Sequence, residues 1–264
     1  NLTRFPLFFP EKRDFFLENA GIFEFGYRTS FEPPPFLLFF SRRIGINDDG
    51  DLVPVAGGVR LSGRMGGQTI GLMNVVTEAS SGDPRTNFAL ARVKKDVGEN
   101  NYIGLMATDR RAGSDDYNSG IGLDGTYWLN SSTNFQGFYS RTYTPNAPSG
   151  YAYRVAFDKT SRLWGFNLQQ IAIDKNAQAD MGFVLRNDVR LTDVFARVSP
   201  RPDILGLRVL TLFGGGRYAT RLDGELQDWN VGPFVVLDWE SGEALSLFAN
   251  YGETVLDEGF TLAD

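Results

Sequence analysis

The chain has 264 residues, a formal net charge of −6, and neither cysteine nor histidine. Those absences exclude disulfides, thiolate nucleophiles and zinc–cysteine sites, together with the commonest general base and metal ligand. The acidic balance argues against a nucleic-acid partner, and no cofactor is indicated. No apolar run reaches the roughly 18 residues that a membrane-spanning helix needs. The richest, Phe5 to Phe9 and Phe36 to Phe40, are far shorter.

The first 35 residues differ from the rest. They are rich in Phe and Pro, with charged residues between the rings. Pro6, Pro10 and Pro33 to Pro35 argue against a central strand or a long helix. Glu11 to Asn19 can form one short helix, ended by Gly21. A compact, mostly irregular entry segment, residues 1–35, is expected to pack on or inside a sheet formed by residues 36–264.

From Phe36 onward the sequence reads as hairpins, with strands at about 36–43, 53–64, 69–77, 87–97, 102–109, 118–129, 134–142, 151–159, 163–172, 189–198, 207–219, 226–239 and 244–252. The clearest is Tyr117 to Tyr143. Tyr117, Ile121, Leu123, Tyr127 and Leu129 share one side. Asn118, Gly120, Gly122, Asp124, Thr126 and Asn130 share the other, since successive strand side chains face opposite ways. The same alternation puts Tyr151, Tyr153, Val155 and Phe157 against Ala152, Arg154, Ala156 and Asp158. A further apolar row runs from Trp229 to Trp239. Each arm of the Tyr117–Tyr143 hairpin is about ten residues, the length of a tilted strand crossing a bilayer. Short turns such as Met65–Gln68 and Asn130–Thr133 alternate with longer polar loops at Ile44–Leu52, Glu78–Arg85, Arg110–Asp116 and Thr144–Gly150. That segregation suits a transmembrane barrel. It holds if Asp174–Asp188 is one long loop without a strand at Met181–Arg186.

Three stretches add a resemblance: NLTRFPLFFPEKRDFFLENAGIFEFG from Asn1, LFFSRRIG at Leu38–Gly45, and PVAGGVRLSGRMGGQTIGLMNVVT at Pro54–Thr77. GFVLRND at Gly182–Asp188 is a weaker echo. Together they resemble the start of the barrel region of an uncharacterised bacterial family. Full-length members of that family carry an N-terminal carbohydrate-binding module of the family-nine type before an outer-membrane β-barrel. The resemblance implies a bacterial outer membrane. It carries over no catalytic residue, and this chain lacks the module itself.

The candidate site residues are charged groups expected to face inward. Glu11, Lys12, Arg13, Asp14 and Glu18 form one cluster; Arg42, Arg43, Arg60 and Arg64 form another. Together they could gate a lumen, grip a sugar or select anions. Alternatively they pair with each other and anchor the entry segment. Asn47–Asp51 resembles half a calcium loop but lacks the Glu that would complete it, and reads as a polar turn. Asp124, Asp158 and Asp238 sit at inward positions without the signature of a glycosidase pair. Gly214–Gly216 lies inside a strand, not before a helix, and is no phosphate loop.

The expectation is therefore an all-β chain: an antiparallel up-and-down transmembrane β-barrel of about 13 strands, incomplete here, with an irregular N-terminal segment. Barrels are normally even-numbered, which predicts a piece of a longer protein with further strands beyond Asp264. Its partners would be outer-membrane lipid and an oligosaccharide or other small solute. It would be no enzyme. The competing expectation is a soluble all-β carbohydrate-active hydrolase or lectin-like protein, in which the apolar rows lie beneath a second sheet.

Overall fold

The computed structural model describes residues 11–26, 34–47, 50–80, 82–202 and 204–255. Alternating side chains and Gly- or Ser-rich turns give the expected result, an all-β chain. Strands β1 (Phe36–Leu37), β2 (Val55–Met65), β3 (Gln68–Thr77), β4 (Asn87–Val97) and β5 (Asn101–Arg111) come first. They are followed by β6 (Tyr117–Asn130), β7 (Thr133–Tyr143), β8 (Gly150–Thr160), β9 (Trp164–Ile173) and β10 (Phe183–Val184). Last come β11 (Val189–Val198), β12 (Leu207–Thr220), β13 (Leu226–Trp239), β14 (Ala244–Phe248) and β15 (Tyr251–Thr254). Thirteen of them form one antiparallel meander, in the order β14-β13-β12-β11-β9-β8-β7-β6-β5-β4-β3-β2, with β15 also on β13. β14 and β15 lie end to end along β13, in register at Phe234↔Phe248 and Val231↔Tyr251, so the final strand expected at 244–252 is interrupted. Among the described residues the sheet is not closed: β2 and the β14/β15 line are its edges.

Three further expectations are corrected. The strand at 36–43 shrinks to Phe36–Leu37, followed by a 3-10 turn at Ser41–Arg43. Its side chains are drawn into a buried cluster of Leu37, Phe40 and Phe183 instead of continuing a ladder. The 174–188 connection does contain a strand, β10, which pairs with β1 through Phe36↔Val184 and Leu37↔Phe183. Gly182 permits this closeness, because a Cβ there would stand 2.0 Å from the Leu37 carbonyl oxygen. The helix expected over 11–19 is only Asp14–Leu17, here α1. It ends at Leu17, before Gly21, and Asn19 takes the left-handed conformation (φ 48°) ahead of a 3-10 turn at Ala20–Phe23. The Asp48–Asp49 part of the half calcium loop, and residues 1–10 and 27–33 of the entry segment, lie outside the described residues.

The chain divides into two compact units. The first comprises Asn1–Tyr127, Gln136–Arg154 and Ile173–Asp188; the second comprises Trp128–Phe135, Val155–Ala172 and Val189–Asp264. In the first unit the entry segment lies on one face of the sheet. Glycines on that face make room for it: a Cβ at Gly71 would come 2.6 Å from Phe23, and one at Gly122 would come 2.4 Å from Phe25. Phe25 and Phe36 pack on Phe138 of β7, with ring centroids 5.3 and 5.8 Å away. The core is thus built between an irregular segment and the glycine- and polar-rich face of the strands, while the other face carries the apolar rows. Neighbouring residues show the contrast. Leu123 is 52 % exposed and Asp124 4 %; Val93 is 39 % exposed and Arg92 fully buried. In the second unit Val155, Val194, Tyr218 and Val231 are exposed. Among the described residues no helix is long and apolar enough to cross a membrane, which leaves strand crossing untouched.

Candidate functional site: a buried clasp and a polar cavity between loops

At the centre of the covered face sits an ion pair. Register places Arg92 of β4 opposite Met106 of β5, and Asp124 of β6 opposite Gly104 of β5. Gly104 leaves the space between them, since its Cβ would stand 2.6 Å from both side chains. Arg92 donates Nη1 to Asp124 Oδ1 (2.5 Å) and Nη2 to Oδ2 (2.8 Å), with both side chains fully buried. Tyr102 Oη donates to the same carboxylate at 3.1 Å, and so does the backbone N–H of Gly26 at 3.0 Å. The Arg92 guanidinium also faces the Phe25 ring, 5.7 Å from its centroid. A bidentate pair of this kind is a strong, directional contact. Here it fastens the entry segment to the strands.

The sequence-predicted cluster divides into local pairs. Glu11 accepts bonds from Arg13 Nε (2.9 Å) and Nη2 (2.8 Å), from Ser41 Oγ (2.6 Å), and from the backbone N–H groups of Lys12 and Arg13. Partial burial pushes its pKa up. The Arg13 and Ser41 side chains and those N–H donors outweigh that and lower it from 4.5 to about 2. Arg13 also donates to the carbonyls of Ile44 (2.6 Å) and Ser41 (2.8 Å) and lies 4.3 Å from the Phe16 centroid. Arg60 of β2 reaches the Phe15 carbonyl (2.6 Å) and Glu18 (3.0 Å). Arg64 pairs with Asp96 of β4. Lys12 and Asp14 are exposed, and Arg42 follows Ser41 in the 3-10 turn. Thus the nine residues are not one constellation. Glu11, Arg13, Glu18 and Arg60 hold the entry segment in place, and Arg43 belongs to a different site.

That second site is a cavity of about 770 Å³ in the first unit, formed where the long loops converge. Each of the five loops contributes: Asn47, Asp83, Asp116, Pro148 and Lys175 are representatives. The 174–188 loop is pinned by Asn118 of β6. That residue donates Nδ2 to Thr144 Oγ1 (3.0 Å) and the Gln178 carbonyl (2.9 Å), and accepts the Asp180 N–H at Oδ1 (3.1 Å). Arg43 donates to the Gly182 carbonyl at 3.3 Å. The Arg110 guanidinium is 2.5 Å from Asp116 and 3.7 Å from Asp180, and Asn47 Nδ2 donates to Asp83 at 3.0 Å.

The charged lining balances, with Arg43, Arg110 and Lys175 against Asp83, Asp116 and Asp180. Amides of Asn47, Asn176, Gln178 and Asn187 add donors and acceptors of no net charge. The site is suited to holding a neutral or zwitterionic polar solute by hydrogen bonds. Among the described residues, no three His, Cys, Asp or Glu side chains gather as a metal-holding group.

Sequence reading flagged the loops and the inward Asp124 but missed two things. Arg92 sits in ALARVKK, where one charge at an inward position was the available signal. The convergence of Arg43, Asp83, Arg110 and Asp180 joins residues up to 137 positions apart, and nothing local announces it. Comparison with known proteins finds no matching family model, no matching curated protein and no matching solved structure.

Proposed function

We propose that the sheet is the wall of a bacterial outer-membrane β-barrel, with its apolar rows in lipid and its polar face around an interior partly filled by the entry segment. The cavity between the loops then captures a small polar solute for passage or docking. The observation that carries this reading is the inversion of the usual burial rule: Leu123 and Val93 are exposed while the adjoining Asp124 and Arg92 are buried. A water-soluble sheet covers its apolar face and wets its charges. A barrel wall in hydrocarbon does the opposite. A soluble hydrolase or lectin-like sandwich would need a second layer over Val155 and Val231, both of which are exposed. Closure of the two edges is part of the proposal, because an open sheet edge cannot lie in hydrocarbon. The Asn1–Thr77 resemblance points the same way.

The test is behaviour in detergent. The chain should require micelles or bilayers to stay monodisperse, and should migrate differently on gels before and after boiling. A monodisperse monomer in plain buffer would refute the reading.

A further inference from the structure

The cavity between the long loops is lined by two opposite charges that do not pair. Asp83, in the loop joining β3 to β4, is held in place by backbone bonds in both directions with Ser80 (2.9 and 3.0 Å). Its carboxylate accepts the neutral Asn47 amide at 3.0 Å, and among the described residues no cation pairs with it. Lys175, in the loop joining β9 to β10, is exposed, and among the described residues its ammonium has no carboxylate partner. Both residues line the cavity. The other lining charges are engaged. Arg110 lies 2.5 Å from Asp116 and 3.7 Å from Asp180, and Arg43 donates to the Gly182 carbonyl.

The two charges stand on loops from different parts of the sheet. In strand order β4 and β9 are five places apart, roughly 24 Å along the sheet. An extended chain covers at most about 3.3–3.6 Å per residue, so about seven residues is the longest span between them. The volume of about 770 Å³ lies within the about 300–1,000 Å³ usual for sites of small organic ligands. The uncharged lining is mixed. The Asn176 side-chain amide has no bond among the described residues and offers both donors and an acceptor. Phe88 and Val184 add apolar surface.

We infer that the cavity takes a short peptide with free ends, its ammonium at Asp83 and its carboxylate at Lys175. The inference rests on the reading that the cavity captures a small polar solute, and it names the class. A solute that displaces water from both charges must replace that hydration with opposite charge. A neutral sugar leaves both unmatched. An anion meets Lys175 but is repelled by Asp83, and a cation does the reverse. A free amino acid carries its two charges on one carbon, whereas Asp83 and Lys175 stand too far apart to pair with each other. A peptide separates the charges, and each group between them repeats one donor and one acceptor, which the Asn176 amide can meet. Its side chains find Phe88 and Val184.

The experiment titrates the full chain in detergent micelles, by calorimetry, with alanine peptides of about two to six residues. Each is used free, acetylated at the amino end, or amidated at the carboxyl end. At least one free peptide should bind in the millimolar range or tighter, and blocking either end should weaken it about tenfold. Lys175→Met should weaken the free peptide about tenfold and leave the amidated one unchanged. Asp83→Asn should do the same for the free and the acetylated peptide. No binding by any free peptide, equal binding by the blocked ones, or equal loss for free and amidated peptide in Lys175→Met overturns the inference. Binding of maltotriose with none of the peptides also overturns it, while leaving capture of a polar solute standing. The membrane reading fails separately, through a monodisperse monomer in plain buffer, where the same titrations decide the peptide question.

Discussion

Replacement of Asp124 by alanine gives the sharpest energetic expectation. The substitution removes the partner of a fully buried guanidinium and the acceptor for Tyr102 and the Gly26 N–H. Arg92 Nε already has no acceptor among the described residues, so the positive charge would be left in the core with nothing to balance it. Breaking a buried pair from one side costs about 3–5 kcal/mol, a large part of the about 5–15 kcal/mol that holds a typical domain together. Removing both charges is different. Arg92→Met with Asp124→Leu leaves no buried ion and should recover part of the loss, the remainder being the about 1–3 kcal/mol of leaving the Tyr102 hydroxyl and the Gly26 N–H without their acceptor. Urea unfolding of all three proteins in the same micelles measures the equilibrium. Limited proteolysis between residues 11 and 45 reads whether the entry segment detaches. A cost for Asp124→Ala below about 1 kcal/mol, or a double variant no better than the single one, would refute the clasp.

Three other outcomes follow from the same contacts. Glu11 has a depressed folded-state pKa of about 2 against 4.5. Its contribution is therefore present above pH 4.5 and is lost as the pH falls from 4.5 towards 2. Hydrogen exchange relative to the intrinsic rate should rise over that window at Arg13 to Glu18 and Ser41 to Ile44, and Glu11→Gln should flatten the dependence. Gly182→Ala should destabilise the protein by about 1–3 kcal/mol or more, because the new Cβ meets a backbone oxygen that cannot swing aside. A melting temperature equal to the parent's would count against the β1–β10 contact. Asn118→Ala unpins the 174–188 loop from Thr144, Gln178 and Asp180. It should increase proteolysis there, whereas unchanged cleavage would mean that the loop is held by other means.

Strand positions were legible because alternation is a local signal. Tyr117–Asn130 and Thr133–Tyr143 match the expected arms, and the turns at Gly66–Gly67 and Ser131–Ser132 carry their own chemistry. The entry segment was less legible. Leu38 and Phe40 read as strand residues by pattern, yet burial of Leu38 over Gly120 and Gly122, and of Phe40 against Phe183, overrides that preference. Faces could be assigned but partners could not. Asp124 was inward by parity, but Arg92 was not singled out, and their meeting across Gly104 depends on the register of three strands. The charge cluster from Glu11 to Glu18 was read as a single group. In fact its side chains turn to different neighbours, and the polar cavity comes from loops whose ends are set by the sheet.

The central claim concerns which face meets hydrocarbon. The chain has no cysteine, so single Cys variants carry one nitroxide each without background labelling. Labels at Leu123→Cys and Val155→Cys, in protein reconstituted into bilayers, should be relaxed by oxygen far more than by a water-soluble nickel chelate. A label at Ser62→Cys should show the reverse. Equal access of the nickel chelate to all three positions would contradict the account.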